Sequence, residues 1–427
     1  MNQERALEIL QSGRSALITG RAGSGKTYLL NQFIKSQRAA GKVLAITATT
    51  GLAATHLSGE TIHRWAKIGI HESLPNNFFQ KLTTKDRQRM IEVDILIIDE
   101  ISMLSDVQFS MIDYILRGVR QQQVPFGGIQ LVMSGDFFQL PPIKRSQTIQ
   151  LDVFSDYNNG VGFVTSSAAF EELNPAICYL ESQYRQSDND LLDVLEAIRA
   201  GTVDEYELNF LNQRLNQQPT ERDGVVTNLH TSNMDVDRVN SLSLTKINQP
   251  METFLMTGSG NRYGLEVLKK MVLALEQLDL KIGAEVMAIK NDSKMRFVNG
   301  SLGKVTNFAR KNGLKLPVVQ FNSGKEIIIE PDSWELTEND SKIASVIQLP
   351  LRLAYAITIH KAQGMTLDKA KINLAKAFTP GMGYVALSRI RRLEDLYLMG
   401  INQMALTVSE EARQLDEDLH RQSRMEK

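Results

Sequence analysis

The chain is 427 residues long, with 42% apolar and 23% charged residues. This excludes an intrinsically disordered chain and leaves room for two or three domains. Its 48 basic and 49 acidic residues leave a net charge of −1, which excludes a polycationic coat of the chromatin type but allows a local basic groove. The single cysteine, Cys178, excludes a disulfide framework and a cysteine-based zinc site, and its type and context predict a small buried residue.

The opening MNQERALEIL holds no apolar run, so no signal peptide is predicted. The longest apolar run, VDILII at 93–98, is strand-sized and far short of the roughly 18 residues of a membrane span. The six histidines include no i,i+4 pair that would seat a metal on one helix face. A soluble cytoplasmic protein is the expectation, with no nuclear or mitochondrial targeting pattern and no membrane partner.

In chain order, SALIT (15–19), VLAIT (43–47), DILIID (94–99) and IQLVMSG (129–135) are near-continuous apolar runs. Strands buried on both faces of a parallel sheet read this way. Helical patterns at 26–39 and about 105–120 lie between them, and the sum is a doubly wound α/β domain. The stretch 62–90 is polar and poorly periodic, and reads as an insertion rather than a sheet element. A second α/β-like stretch begins near 162 with VGFVT, AICYL (176–180), a helix at 188–200 and VVTNLH (225–230); its last pieces appear only after 350. Between them, 281–348 has short strands divided by Asn-Gly and Ser-Gly turns, which predicts a small antiparallel barrel. The charged tail from 408 reads as a solvated helix or a frayed end.

GRAGSGKT at 20–27 fits G-x-x-x-x-G-K-[ST] and lies between a strand and a helix, as a phosphate-binding loop requires. Backbone N–H groups around Gly23, Ser24 and Gly25 would wrap the phosphates of ATP, helped by the helix N-terminus. Lys26 would reach the β- and γ-phosphates, and Thr27 would bind Mg²⁺. The strand at 94–99 ends in Asp99-Glu100: Asp99 suits an outer contact to Mg²⁺, and Glu100 suits the base that activates water. In SGDFFQLPPI (134–143), Gln139 sits where it would sense the γ-phosphate. Phe137, Phe138, Pro141 and Pro142 form an apolar corner that could either stack on bases or pack on the core.

Together with YLESQYRQ (179–186), AITIHKAQGMTL (356–367) and YVALSRIRR (384–392), these motifs resemble the ordered motifs of superfamily 1 helicases. EISMLSDVQFSMIDYILRGVR followed by PFGGIQLVMSGDFFQLPPI is similar to the Pif-type (petite integration frequency) family of superfamily 1B, with RecD-like helicases as the sister group. The resemblance implies two RecA-like parallel-sheet domains forming a P-loop NTPase cleft, with a short wedge at about 62–90 and an SH3-like β-barrel insertion at 281–348. It assigns 1–160 to the first RecA-like domain, and 161–280 plus 349–427 to the second.

The implied activity is an ATP-dependent DNA helicase that moves 5′ to 3′ on single-stranded DNA and opens duplex or forked DNA, as a monomer when DNA is absent. A DNA-stimulated ATPase that remodels nucleoprotein complexes without unwinding stays open beside it. Residue by residue, the resemblance implies Gln3 as the adenine reader and Gly364 as a further nucleotide contact. Arg185 and Arg389 become the phosphate-facing arginines, the latter on a helix that the pattern begins with Thr379 as N-cap and Pro380 as first residue. For DNA it points to Thr49, Gly51, His63, Phe137, Pro142, Thr358, His360 and Lys361, and, in the barrel turn, to Asn299 and Lys304.

Overall fold

The computed structural model describes residues 1–57, 59–69, 73–142, 162–184, 188–220, 226–272, 274–290, 292, 294, 296–297, 301–321, 324, 326–338, 341–367 and 369–426. These form two compact units, one of 1–226 with 362–427 and one of 227–361.

The first unit is built on a six-stranded parallel sheet. Its strands are β1 (Ala16–Gly20), β2 (Leu44–Ala48), β3 (Glu60–Thr61), β4 (Ile95–Asp99), β5 (Gln130–Ser134) and β6 (Ala176–Leu180). They lie in the order β3-β2-β4-β5-β1-β6. Every residue of β1, β4 and β6 is buried, which is why these strands read as unbroken apolar runs. Because all neighbours run parallel, the C-terminal ends of β4, β5 and β1 emerge side by side along one edge, where α/β proteins place their ligands. AICYL, which the sequence pattern groups with a second domain past residue 160, is β6: it pairs along its whole length with β1, from Ala16↔Ala176 to Gly20↔Leu180.

The helices Lys26–Ala39 and Asp106–Arg120 fall where the apolar periodicity places them. Among its described residues, the 62–90 stretch holds the short helices Ile62–Trp65, Phe78–Lys81 and Thr84–Glu92 and no strand. The charged tail is a docked helix, Glu410–Met425, rather than a frayed end. Ala412, Leu419 and Ser423 are its buried residues, and the Ser423 hydroxyl accepts from the Tyr179 N–H of β6 at 3.1 Å. Near it in sequence, Ala370–Leu374 and Leu396–Ile401 form a parallel pair. Among the described residues, no helix is long and apolar enough to cross a membrane.

The second unit opens with Thr227–His230 paired in parallel with Ala356–Thr358, and continues as antiparallel sheets. A five-stranded sheet runs in the order Glu326–Ile328, Leu314–Phe321, Leu302–Lys311, Glu285–Ala288, Leu351–Leu353. Its central hairpin closes with Lys311 opposite Leu314, around Asn312 and Gly313 at φ of +52° and +78°. Asn-Gly favours this two-residue turn because both central residues need positive φ. Val286, Val305, Val319 and Phe321 pack its core. Strands outside 281–348 also contribute: Thr257–Gly260 pairs with Ser341–Gln348, and Glu252–Leu255 with Gln277–Leu280.

Candidate nucleotide site

The phosphate-loop sequence follows β1 and turns into the helix at Lys26, whose first turn has no side-chain cap. Gly25 caps that helix at φ +85°, a backbone conformation that favours glycine, and a Cβ there would have to push aside the Gln3 amide, 2.1 Å away. Gln3 lies over the loop, its Nε2 donating to the Ser24 and Gly25 carbonyls, each at 3.4 Å. The Lys26 ammonium spans the loop, donating to the carbonyls of Gly20 at 2.7 Å and Arg21 at 2.9 Å.

Asp99 ends β4 and is 7% exposed; its Oδ1 accepts from the Glu100 N–H at 2.9 Å. Glu100 takes the left-handed conformation at φ +54°, which is uncommon for a non-glycine residue. Thr49 braces this turn twice, its N–H donating to the Asp99 carbonyl at 3.1 Å and its hydroxyl to the Glu100 carbonyl at 2.8 Å. Burial first, and the neighbouring Asp99 second, push the Glu100 carboxyl up to about 7, against the pull of Arg389 and Lys26. Burial likewise lifts Asp99 above its ordinary value. Gln363 Nε2 donates to Glu100 Oε2 at 3.1 Å, and a Cβ on Gly364 would lie 3.5 Å from Glu100 Oε1.

Lys26, Thr27, Glu100, Gln139, Gly364 and Arg389 share the wall of one cavity of about 540 Å³. Gly23 and Gly25 line it as well. Gln139 is 6% exposed; its Nε2 donates to Asp136 at 3.3 Å, while its Oε1 is bonded to nothing among the described residues. Arg389 is 1% exposed, and its guanidinium donates to the Val385 carbonyl at 2.8 Å and the Ser388 hydroxyl at 2.7 Å. The helix expected to carry it ends at Leu387, two residues before it, and starts later than the sequence pattern suggests. Gly381, not Thr379, is the cap, at φ +82°, and the helix is Met382–Leu387. A Cβ at 381 would come within 2.6 Å of the Phe138 carbonyl oxygen, so the chain passes this point as glycine before helix can begin.

Thr27 and Asp99 are oxygen donors suited to magnesium. Among the described residues, no cluster of three or more His, Cys, Asp or Glu is built to hold a metal unaided. A Mg²⁺ that shares its shell with phosphates and water needs no such cluster, so the residues fit a metal that arrives with a nucleotide.

Comparison with known proteins supplies the family. A model of the PIF1-like helicase family matches residues 2–207, and one of the 2B domain of DNA helicase Pif1 matches 265–308. The chain is 36% identical to the ATP-dependent DNA helicase Pif1 of Psychrobacter sp., over 97% of this chain and 70% of that protein. It is similar to the crystal structure of Pif1 helicase from Candida albicans, with a TM-score of 0.89, 32% identity and 98% of each chain covered. The Bacteroides Pif1 helicase in complex with ADP-AlF3 and ssDNA matches with a TM-score of 0.81 and 30% identity, over 98% of this chain and 96% of that one. The chain belongs to the PIF1-like helicase family.

In this PIF1-like helicase the expected DNA residues are less of a piece than the nucleotide site. In the first unit, Gly51 opens the short helix Gly51–His56, and half-buried His63 shares a 3.3 Å hydrogen bond with Gln108. Burial lowers the His63 imidazole below its ordinary value. Phe137 is a correction: it is 3% exposed and packs edge-on against Phe163, so its ring is committed to the core and offers no face to a base. Phe138 is equally buried, under the Arg199 guanidinium at 3.9 Å, and Pro142 is buried too.

In the second unit, the Thr358 hydroxyl accepts from the Lys361 N–H at 3.4 Å, and burial lowers both His360 and Lys361. Arg185 and Asn299 lie outside the described residues.

The sequence motifs do not single out Asp136, Arg199, Gln363 or Tyr384, which shape the nucleotide site from segments far apart in the chain. Asp136, Gln363 and Tyr384 lie inside the helicase-like motifs quoted above, though without a role of their own there, and nothing local marks Arg199.

Proposed function

We propose that this chain is an ATP-dependent DNA helicase that hydrolyses ATP in the P-loop cavity and moves 5′ to 3′ on single-stranded DNA, opening duplex or forked DNA. The observation that carries the reading is the gathering of Lys26, Thr27, Glu100, Gln139 and Arg389 around one cavity at the adjoining ends of β1, β4 and β5. Its relatives' shared name, ATP-dependent DNA helicase, supports it.

In this reading the loop N–H groups and the uncapped helix terminus bind the phosphates, with Lys26 turned from its two carbonyls toward the β- and γ-oxygens. Glu100, raised toward neutrality, accepts a proton from water as the oxygen attacks. Gln139 offers its unpaired Oε1 as an acceptor to that water, and Arg389 and Arg185 neutralise charge on the transferred phosphoryl group. Thr27 and Asp99 hold Mg²⁺, which supplies charge neutralisation of the phosphates when bound. Gln3 reads adenine, and Gly364 borders the nucleotide.

DNA is held through Thr49, Gly51, His63, Thr358, His360, Lys361 and Asn299, mostly by hydroxyls, backbone and a few cations rather than by net charge. The second RecA-like domain is assembled from segments on either side of the 281–348 insertion. The protein acts in the cytoplasm and is a monomer without DNA.

The test is steady-state ATPase with and without oligo-dT, beside unwinding of duplexes with a 5′ or a 3′ tail. ATPase that rises with oligo-dT and unwinding from the 5′ tail alone are the expected results. Stimulation without unwinding of either substrate would favour the remodelling ATPase.

A further inference from the structure

Behind the cavity wall lies a cluster that catalysis as described does not use. Tyr384 is 1% exposed, and its hydroxyl has three partners from three distant segments. It accepts from the Ala22 N–H of the phosphate loop at 3.1 Å and from Arg199 Nη1 at 3.1 Å, and it donates to Asp136 Oδ2 at 3.1 Å. One donor and two lone pairs are all a tyrosine hydroxyl has, so this one is fully used.

Asp136 is equally saturated. Its Oδ1 accepts from Arg199 at 3.1 Å and the Phe138 N–H at 3.2 Å; its Oδ2 accepts from Tyr384 and from Gln139 Nε2 at 3.3 Å. The second arm of Arg199 reaches Asp416 at 3.1 Å and the Tyr179 hydroxyl at 3.3 Å. A phenylalanine at 384 would fill the same space and keep the ring contact with Phe138. What the hydroxyl adds is a fixed distance between the phosphate loop and the carboxylate that orients Gln139.

We propose that Tyr384 is a positioning residue for nucleotide binding, its hydroxyl latching the phosphate loop at Ala22 to the buried Arg199–Asp136 pair that holds Gln139. The proposal rests on the reading of this cavity as an ATP site. The latch sits five residues before Arg389 in the chain, so one short segment carries both a cavity-facing arginine and the tie to the loop. Without the hydroxyl the Ala22 N–H loses its acceptor, and the loop is freer before nucleotide arrives.

The test is Tyr384→Phe in the full chain, with Arg199→Lys as a second variant that keeps the charge but cannot serve Asp136, Asp416 and Tyr384 together. For each, one measures affinity for ADP and for a non-hydrolysable ATP analogue, KM and kcat of the DNA-stimulated ATPase, melting temperature, and hydrogen exchange of the peptide containing Ala22. In Tyr384→Phe, nucleotide dissociation constants and KM should rise roughly 2- to 12-fold, the scale of one net hydrogen bond, with kcat near wild type. Exchange at Ala22 should quicken. The double variant should lose less than the sum of the singles, because both act through one junction.

Wild-type affinity and exchange in Tyr384→Phe would overturn the latch, as would a lower melting temperature with affinity unchanged. A fall in kcat with KM unchanged would also overturn it, by placing the hydroxyl in the chemistry. Failure of the wild-type protein itself to bind either nucleotide would instead overturn the reading of the cavity as an ATP site.

Discussion

The ends of β4 and β5 each present a buried carboxylate at the same sheet edge, yet the two are treated in opposite ways. At β5, burial pushes Asp136 up, but Arg199 and then Lys26 outweigh it and hold the group below the ordinary carboxylate range. At β4, burial wins: Asp99 is raised, and Glu100, pressed further by Asp99, rises to about 7. The acid at β5 has its own guanidinium and four hydrogen bonds, so it is part of the frame. Among the described residues the acids at β4 have no hydrogen-bonded guanidinium to match it, and the pull of Arg389 and Lys26 on Glu100 does not offset its burial, a pattern typical of acids used for chemistry.

The comparison is broken most directly at Glu100. Glu100→Gln keeps the shape and the Gln363 contact but removes the base. Single-turnover hydrolysis should slow roughly 10²–10⁴-fold, with nucleotide affinity retained. Turnover close to wild type would show that the under-compensated acids are not the chemical ones.

The next effect lies at β5 and concerns stability. Asp136→Asn strips Arg199 of its fully buried partner, and breaking such a pair costs about 3–5 kcal/mol, read as a shift in the urea midpoint. The pH dependence has a definite sign. A carboxyl lowered in the folded state contributes stability above its ordinary value of 3.8, and that contribution is lost as pH falls toward the folded value. Wild type should therefore lose stability on acidification through this range, and Asp136→Asn should lose less. Equal acid sensitivity in the two proteins would mean that Asp136 is not the compensated acid described here.

How much of this is legible in the sequence depends on distance along the chain. The P-loop and Asp99-Glu100 are contiguous strings whose chemistry follows from local order, and the structure gathers them with Gln139, Arg389, Gln3 and Gly364. Strand existence is equally plain wherever both faces are buried. Partnership is not: β6 is as apolar as β1, but nothing in either says that residues 160 apart pair as neighbours. Arg199 is harder still. It closes the helix Asn189–Ala200, where a basic residue ordinarily reads as a cation set against the helix dipole. Its burial between Asp136 and Asp416 is a purely tertiary fact. The helix at 410–425 misleads in the same way, because Ser423 on its docked face is polar and weakens the apolar stripe. Phe137 shows the reverse error, an aromatic beside the motif that belongs to the core.

The smallest expected effect sharpens the comparison from the other side. If Glu100 is held against its preference to ionise, then removing its charge should stabilise the nucleotide-free protein. A carboxyl raised from 4.5 to about 7 in the folded state binds a proton there that the unfolded chain has released, so stability falls as pH climbs between those values and is level above them. Below pH 4.5 the glutamate and a glutamine should be nearly equivalent. At pH 8 Glu100→Gln should be the more stable by about 1–3 kcal/mol, since each tenfold change in proton affinity is worth roughly 1.4 kcal/mol and water and movement of Lys26 relieve part of the burden. The measurement is a pair of melting curves in the absence of nucleotide and magnesium, at several values of pH. The gap between variant and wild type should open as pH rises through this window. Asp136→Asn should show no such gain, because the acid it replaces is already compensated. A Glu100→Gln protein that melts with wild type at every pH would place the β4 acids in the same class as Asp136, and the contrast between the two strand ends would be lost.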